Sequence, residues 1–192
     1  MKKKQILACA IIVSCLSLSA YGTIAYFTAD AIATNVITSG NIKIDLKETA
    51  IPEDGGDPVP FEDRIGVMPG NEISKIVQVE NTGSQAAYIR VSVDKEILLK
   101  DETAGEPDLS LISWNFNEEN WEEKDGFYYY KDALEAGKTT EPLFTEVVFD
   151  VSMGNMYQNS KAEIKVTAQA TQVANNGSNV MEAQGWPKED KE

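Results

Sequence analysis

No histidine occurs anywhere in this 192-residue chain. That absence removes the commonest metal ligand, the usual general base and every Ser-His or Cys-His dyad. Cysteine is almost as scarce. Both copies, Cys9 and Cys15, fall near the start, so the rest of the chain is left without disulfide, metal-thiolate or thiol chemistry. Basic residues number 17 against 31 acidic ones, a net charge of −14, which argues against nucleic acid and anionic lipid as partners. There is no amphipathic helical pattern longer than about two turns, no Gly-rich phosphate loop and no HExxH motif.

The N-terminus does carry a pattern. Met1 to Gln5 holds three lysines, and Ile6 to Leu18 is apolar apart from Ser14 and Ser17. A charged start followed by an apolar run is the layout of a secretory signal peptide, so residues 1–25 are expected to direct export and to be cut off between Ala25 and Tyr26, after the small residues Thr23 and Ala25. Lys2, Lys3 and Lys4 leave with the leader and no acid does, so a chain starting at Tyr26 has 14 basic against 31 acidic residues, a net of −17. Two alternatives stand beside cleavage. The apolar segment stays as an anchor, although Ile6 to Phe27 is barely long enough to span and is interrupted by Ser, Tyr, Gly and Thr. Or Ile12-Val13-Ser14-Cys15 acts as a lipobox, although the residues after Cys15 stay apolar where a lipoprotein has a polar tether.

Beyond the leader, hydrophobic alternation with a period of two dominates. Ile42, Ile44 and Leu46 alternate with Lys43, Asp45 and Lys47. After the turn signal Pro69-Gly70, Ile73, Val77 and Val79 share one parity, on which Lys75 is the one intruder. Asn81-Thr82-Gly83-Ser84 reverses the chain before Ala87, Ile89, Val91 and Val93, so the pair is expected to form a β-hairpin. Asp125-Gly126 between aromatic segments predicts a second hairpin. Further strands follow at Val147 to Met153 and at Ala162 to Ala170, while Leu109 to Phe116 suits either a short helix or a strand. Residues 51–64 read as loop, and Asn175 onward as a polar, mobile tail with a helical turn near Val180 to Gln184. The result is an all-β domain over residues 26–174, an antiparallel two-sheet β-sandwich with short helical turns in its loops.

Three stretches resemble one family. The junction Gly22-Thr23-Ile24-Ala25-Tyr26-Phe27-Thr28-Ala29-Asp30, the run from Pro69-Gly70 through Asn81-Thr82-Gly83-Ser84 to Arg90-Val91, and the late strand Ala168-Gln169-Ala170-Thr171-Gln172 are similar to the TasA/camelysin proteins. Those are exported by Gram-positive bacteria as biofilm-matrix fibre subunits and as spore-coat-associated or cell-surface proteins. The resemblance implies a sandwich of jelly-roll type, a dedicated signal peptidase as partner during export, and fibres in which one subunit's N-terminal segment completes the sheet of the next. Here residues 26–40 would be that donor segment, with Tyr26, Phe27, Ile32 and Val36 as its anchors; as the first strand of their own domain they are the alternative. An accessory matrix subunit is a further expected partner, and the membrane is met only through an uncleaved leader. Camelysin-type metallopeptidase activity also belongs to the family, but the missing histidines and the missing HExxH motif speak against it.

Two other residue groups carry possible chemistry. Glu53, Asp54 and Asp57, and Glu118, Glu119, Glu122 and Glu123, offer oxygen ligands for calcium, yet neither group follows the spacing of a calcium loop and solvated loops are the favoured reading. In Phe127-Tyr128-Tyr129-Tyr130, with Trp114 and Trp121 nearby in sequence, alternation suits Phe127 and Tyr129 to the core and displays Tyr128 and Tyr130, an aromatic surface with which a monomeric adhesin could hold glycan or protein, although a plain core or sheet-surface role is the favoured reading. The sequence therefore points to a secreted, non-enzymatic structural protein of the matrix or of a cell or spore surface, with no catalytic residue, no metal ligand and no cofactor.

Overall fold

Two twelve-residue strands, β7 (Ala87–Leu98) and β12 (Lys161–Gln172), pair antiparallel along their whole length, from Ala87 opposite Gln172 to Leu98 opposite Lys161. They are the middle of a six-stranded sheet in the computed structural model, which describes residues 27–38 and 42–187. On the β7 side lie β10 (Phe127–Tyr130) and then β9 (Trp121–Lys124). On the β12 side lie β1 (Phe27–Thr38) and then β4 (Arg64–Val67). The β9–β10 hairpin is the one Asp125-Gly126 predicts. Both turn residues have positive φ, 53° and 80°, as a two-residue turn matched to strand twist requires.

The remaining strands build the opposite layer. There β2 (Ile44–Ala50) pairs with β3 (Val59–Pro60) and β6 (Ile76–Asn81), and β11 (Glu146–Phe149) pairs with β5 (Glu72–Ser74) and β8 (Ile112–Trp114). These two three-stranded ladders join. The chain from Gly137 to Thr145 runs beside β6, donating from Thr140 N to Val79 O and from Leu143 N to Val77 O, and accepting from Lys75 N and Val77 N. Each layer turns an apolar face to the other. Ile44, Leu46, Val77, Val79, Val147 and Phe149 meet Ile89, Val91, Ile164, Val166 and Ala168 in one core. This is the expected all-β sandwich. Among the described residues every strand pair is antiparallel except one, β1 with β12, which is parallel.

Two expectations are corrected here. Strands β6 and β7 are not a hairpin, because β6 pairs with β2 while β7 pairs with β12 and β10. Residues 82–86 form an arch that carries the chain from one layer to the other. It is pinned by buried Asn81, whose Nδ2 donates to Gln85 O and Leu134 O and whose Oδ1 accepts from Gly83 N. Two strands with matching apolar faces satisfy burial equally well side by side or face to face, and here they are face to face. The segment from Asn175 to Pro187 is not a free tail either. It crosses the outer face of the six-stranded sheet, buries Val180, and includes the expected helical turn, a 3-10 turn at Val180–Glu182. The region 109–116 contains both options, a 3-10 turn at Leu109–Leu111 and then β8. Residues 188–192 lie outside the description.

Candidate assembly site

The segment expected to be donated, 26–40, supplies β1. Its backbone lies between two strands of its own chain, so in the single subunit it is the first strand of its own domain. Register with β12 runs from Thr28 opposite Lys161 to Thr38 opposite Ala170, with a shift between Ile32 and Asn35. Of the expected anchors, Phe27 sits at the register position of Val67 on β4, Ile32 at that of Lys165 and Val36 at that of Ala168. Tyr26, and with it the expected processing site at Ala25–Tyr26 and the expected leader, lies outside the described residues.

The seat that β1 fills is built by β12. Ala162, Ile164, Val166, Ala168 and Ala170 are all buried on its core side. Small side chains at both ends and branched ones between give a flat, well-packed row, and beside it the backbone groups of 161–170 need a partner strand. A vacated seat would leave that ladder open.

The free edges differ in how they are protected. The outer strand β9 presents exposed Glu122, Glu123 and Lys124, a charged edge that repels unwanted pairing. Strand β3, at an edge of the second layer, is two residues long and ends in Pro60, which has no N–H to offer. Strand β4, at the β1 end, carries Ile65, 88% exposed, and an open groove of about 570 Å³ separates it from β5, lined by the apolar Ile51, Ile65 and Ile73 and by the charged Glu53, Arg64 and Glu146. This edge of the six-stranded sheet adjoins β1.

The aromatic surface is corrected. Tyr128 and Tyr130 are 9% and 7% exposed and belong to the inter-sheet core, where Tyr128 packs on Phe116 and Trp114 and Tyr130 on buried Trp121. Tyr130 Oη donates to a Glu141 carboxylate oxygen, and burial, reinforced by that carboxylate, pushes its pKa up to about 12. Burial likewise raises Tyr128. It is Phe127 and Tyr129 that take the outer face, and the C-terminal segment covers them. Alternation identifies two faces without saying which is the inner one. When both are aromatic, only the position of the opposite layer decides.

Arg90 is the functional-looking residue that sequence reading passed over. Its guanidinium carbon lies 3.9 Å from the ring centre of Phe127 and 4.6 Å from that of Trp186, Nε donates to Gln169 Oε1 at 2.8 Å, and Nη1 donates to Tyr129 Oη. Both hydrogen bonds and both stacks are intramolecular, so the arrangement clamps the C-terminal segment to the sheet and leaves the arginine little capacity for a ligand. An isolated Trp186 in a polar stretch and an arginine in an apolar strand were the available signals, but nothing in the sequence connects them.

The two acidic groups do not converge: among the described residues no three Asp or Glu side chains come together as a metal would need. Glu53 is turned to solvent, 3.9 Å from Arg64. The backbone carbonyls of Glu118 and Glu119 accept from Lys131 Nζ. Compared with known protein families, characterised proteins and solved structures, the chain matches none.

Proposed function

We propose that this protein is a secreted structural subunit that assembles by exchanging β1 between copies. The observation that carries the reading is the parallel pairing of the first strand with the last. A parallel neighbour is never joined to its partner by a tight turn. Along the chain, residues 39–43 lead from β1 to β2 in the opposite layer. A β1 from another copy would make the same backbone bonds to β12 and β4. Reciprocal exchange closes a dimer, whereas head-to-tail exchange leaves one open seat and one free strand at the ends and propagates a filament.

The remaining supports come from the sequence. A leader with a charged start and an apolar core directs export, and an acidic chain without histidine suits a matrix or surface role without catalysis. Processing at Ala25–Tyr26 would free β1 from the leader and so time assembly to arrival outside the cell. The TasA/camelysin likeness at this junction points the same way.

Sedimentation and negative-stain microscopy of chains starting at Tyr26 and at Asn41, over a range of salt and pH, test the reading. The longer chain is expected to form filaments. The shorter one should not, and should capture an added peptide of residues 26–40. A Tyr26 chain that stays monomeric throughout, with no peptide capture by the shorter one, would end the exchange model.

A further inference from the structure

Lys75, the charged intruder on an apolar parity, is 1% exposed between β5 and β6. Its Nζ lies 2.6 Å from Glu48 Oε1 on the neighbouring strand β2 and makes no hydrogen bond to any other described group. The Phe61 ring closes over the ammonium at 4.1 Å, and Phe61 is held there by its own N–H, which donates to Glu48 O at 3.0 Å. An amine and a carboxyl are thus confined together under an aromatic lid, with water shut out. Asp63 stands near enough for its charge to act on Lys75.

We propose that Lys75 and Glu48 form an intramolecular amide bond that welds β2 to the β5–β6 junction. Two opposite charges held in an apolar site lose their hydration and gain by neutralising each other. Transfer of one ammonium proton to the Glu48 carboxylate gives a neutral amine facing a neutral acid. The Lys75 nitrogen then attacks Glu48 Cδ. The new C–N bond forms, the C–OH bond breaks, and the hydroxyl leaves as water with a proton from the nitrogen. No oxidant, reductant or leaving group other than water is involved.

Condensation is poor in open solution because water competes. Fixed geometry changes this: well-oriented intramolecular partners reach effective molarities of roughly 10⁵ to 10⁸ M, far above the concentration of water that a closed site admits. The product is an uncharged amide in a place where two charges were costly to bury. It would also give a chain with no cysteine beyond Cys15 the entropic cross-link that disulfides give others.

Mass spectrometry of a tryptic digest of the denatured full chain tests this directly, and the reading does not depend on how the N-terminus is processed. A bond at Lys75 blocks cleavage there, so residues 48–64 are expected joined to residues 65–90 at one water less than the sum of the two. Lys75→Met should release 48–64 as a free peptide. Free 48–64 together with free 65–75 from the wild-type chain, with no linked species, overturns the proposal and leaves a buried ion pair. Neither outcome touches strand exchange, which involves the other sheet.

Discussion

The Arg90 guanidinium stands 3.9 Å from the centre of the Phe127 ring, and on its other contact the indole of Trp186 lies at 4.6 Å. Phe127 belongs to the sheet and Trp186 to the segment that covers it, so one cation fastens the covering segment to the fold. Two partly desolvated cation–π contacts and two charge-assisted hydrogen bonds are each worth on the order of 1 to 2 kcal/mol before compensation. Arg90→Ala is expected to lower stability by about 2 to 3 kcal/mol in a urea titration. Arg90→Lys should recover less than half, because an ammonium cannot lie flat on both rings while reaching Gln169 and Tyr129.

Removing the covering segment should expose what it hides. A chain ending at Asn175 loses Trp186, Val180 and the bond from Tyr88 Oη to Gly177 O, and uncovers Tyr88, Tyr129 and Phe127. It is expected to bind a hydrophobic dye that the full chain ignores and to melt at a lower temperature. Unchanged dye binding would mean that 176–187 does not cover the sheet in solution.

Gly177 is a tight point in that segment. An added Cβ would meet the Glu182 carbonyl carbon at 2.5 Å, a backbone atom that cannot swing aside. Gly177→Ala is expected to reproduce part of the truncation phenotype, read by Trp186 fluorescence, although the φ there is not in the left-handed region.

Asn81 holds the arch between layers with three hydrogen bonds from a fully buried side chain. Asn81→Ala removes the partner of the Gln85 carbonyl and of the Gly83 N–H, while the Leu134 carbonyl keeps its bond from Ala87 N, and should cost about 2 to 3 kcal/mol. Asn81→Asp should cost more at neutral pH, since a carboxylate oxygen would then face two carbonyl oxygens. An Asn81→Ala chain as stable as the wild type would show that the arch does not depend on this donor.

Alkaline pH should weaken the fold through Tyr130. Burial and the Glu141 carboxylate hold its pKa at about 12, above the usual tyrosine value of about 10. Between those values the unfolded chain loses the proton while the folded chain keeps it, so stability is full below about pH 10 and falls as pH rises toward 12. Tyr128, raised by burial, acts in the same direction. Tyr130→Phe is expected to flatten part of that slope and to lose about 1 kcal/mol at neutral pH with the hydrogen bond to Glu141.

Much of the sandwich was legible because period-two alternation reports burial directly. Ile42, Ile44, Leu46, Val77 and Val79 are buried as their parity says, and the Asp125-Gly126 turn is local chemistry that needs no tertiary context. The strand expected to run to Met153 shows the limit. It stops at Phe149, and Val151, on the same parity, is 79% exposed because the chain turns out of the sheet at Asp150 and Ser152. At the candidate site, the sequence marked residues 26–40 as a candidate donor segment or first strand, but it did not disclose the parallel pairing of β1 with β12. That pairing joins residues more than a hundred positions apart, with no turn to announce it.

By itself, then, the sequence determined the class of fold, the absence of histidine and thiol chemistry from the body of the chain, and which side of most strands faces inward. Those follow from composition and from alternation, which are properties of a few neighbouring residues. Only the tertiary structure decided which strands are neighbours, that β6 and β7 face each other across the core, that Tyr128 and Tyr130 point in while Phe127 and Tyr129 are covered, and that Lys75 meets Glu48. Each of these depends on where a distant segment comes to rest, and burial energy, being non-directional, is satisfied by more than one arrangement until backbone pairing and side-chain hydrogen bonds select among them.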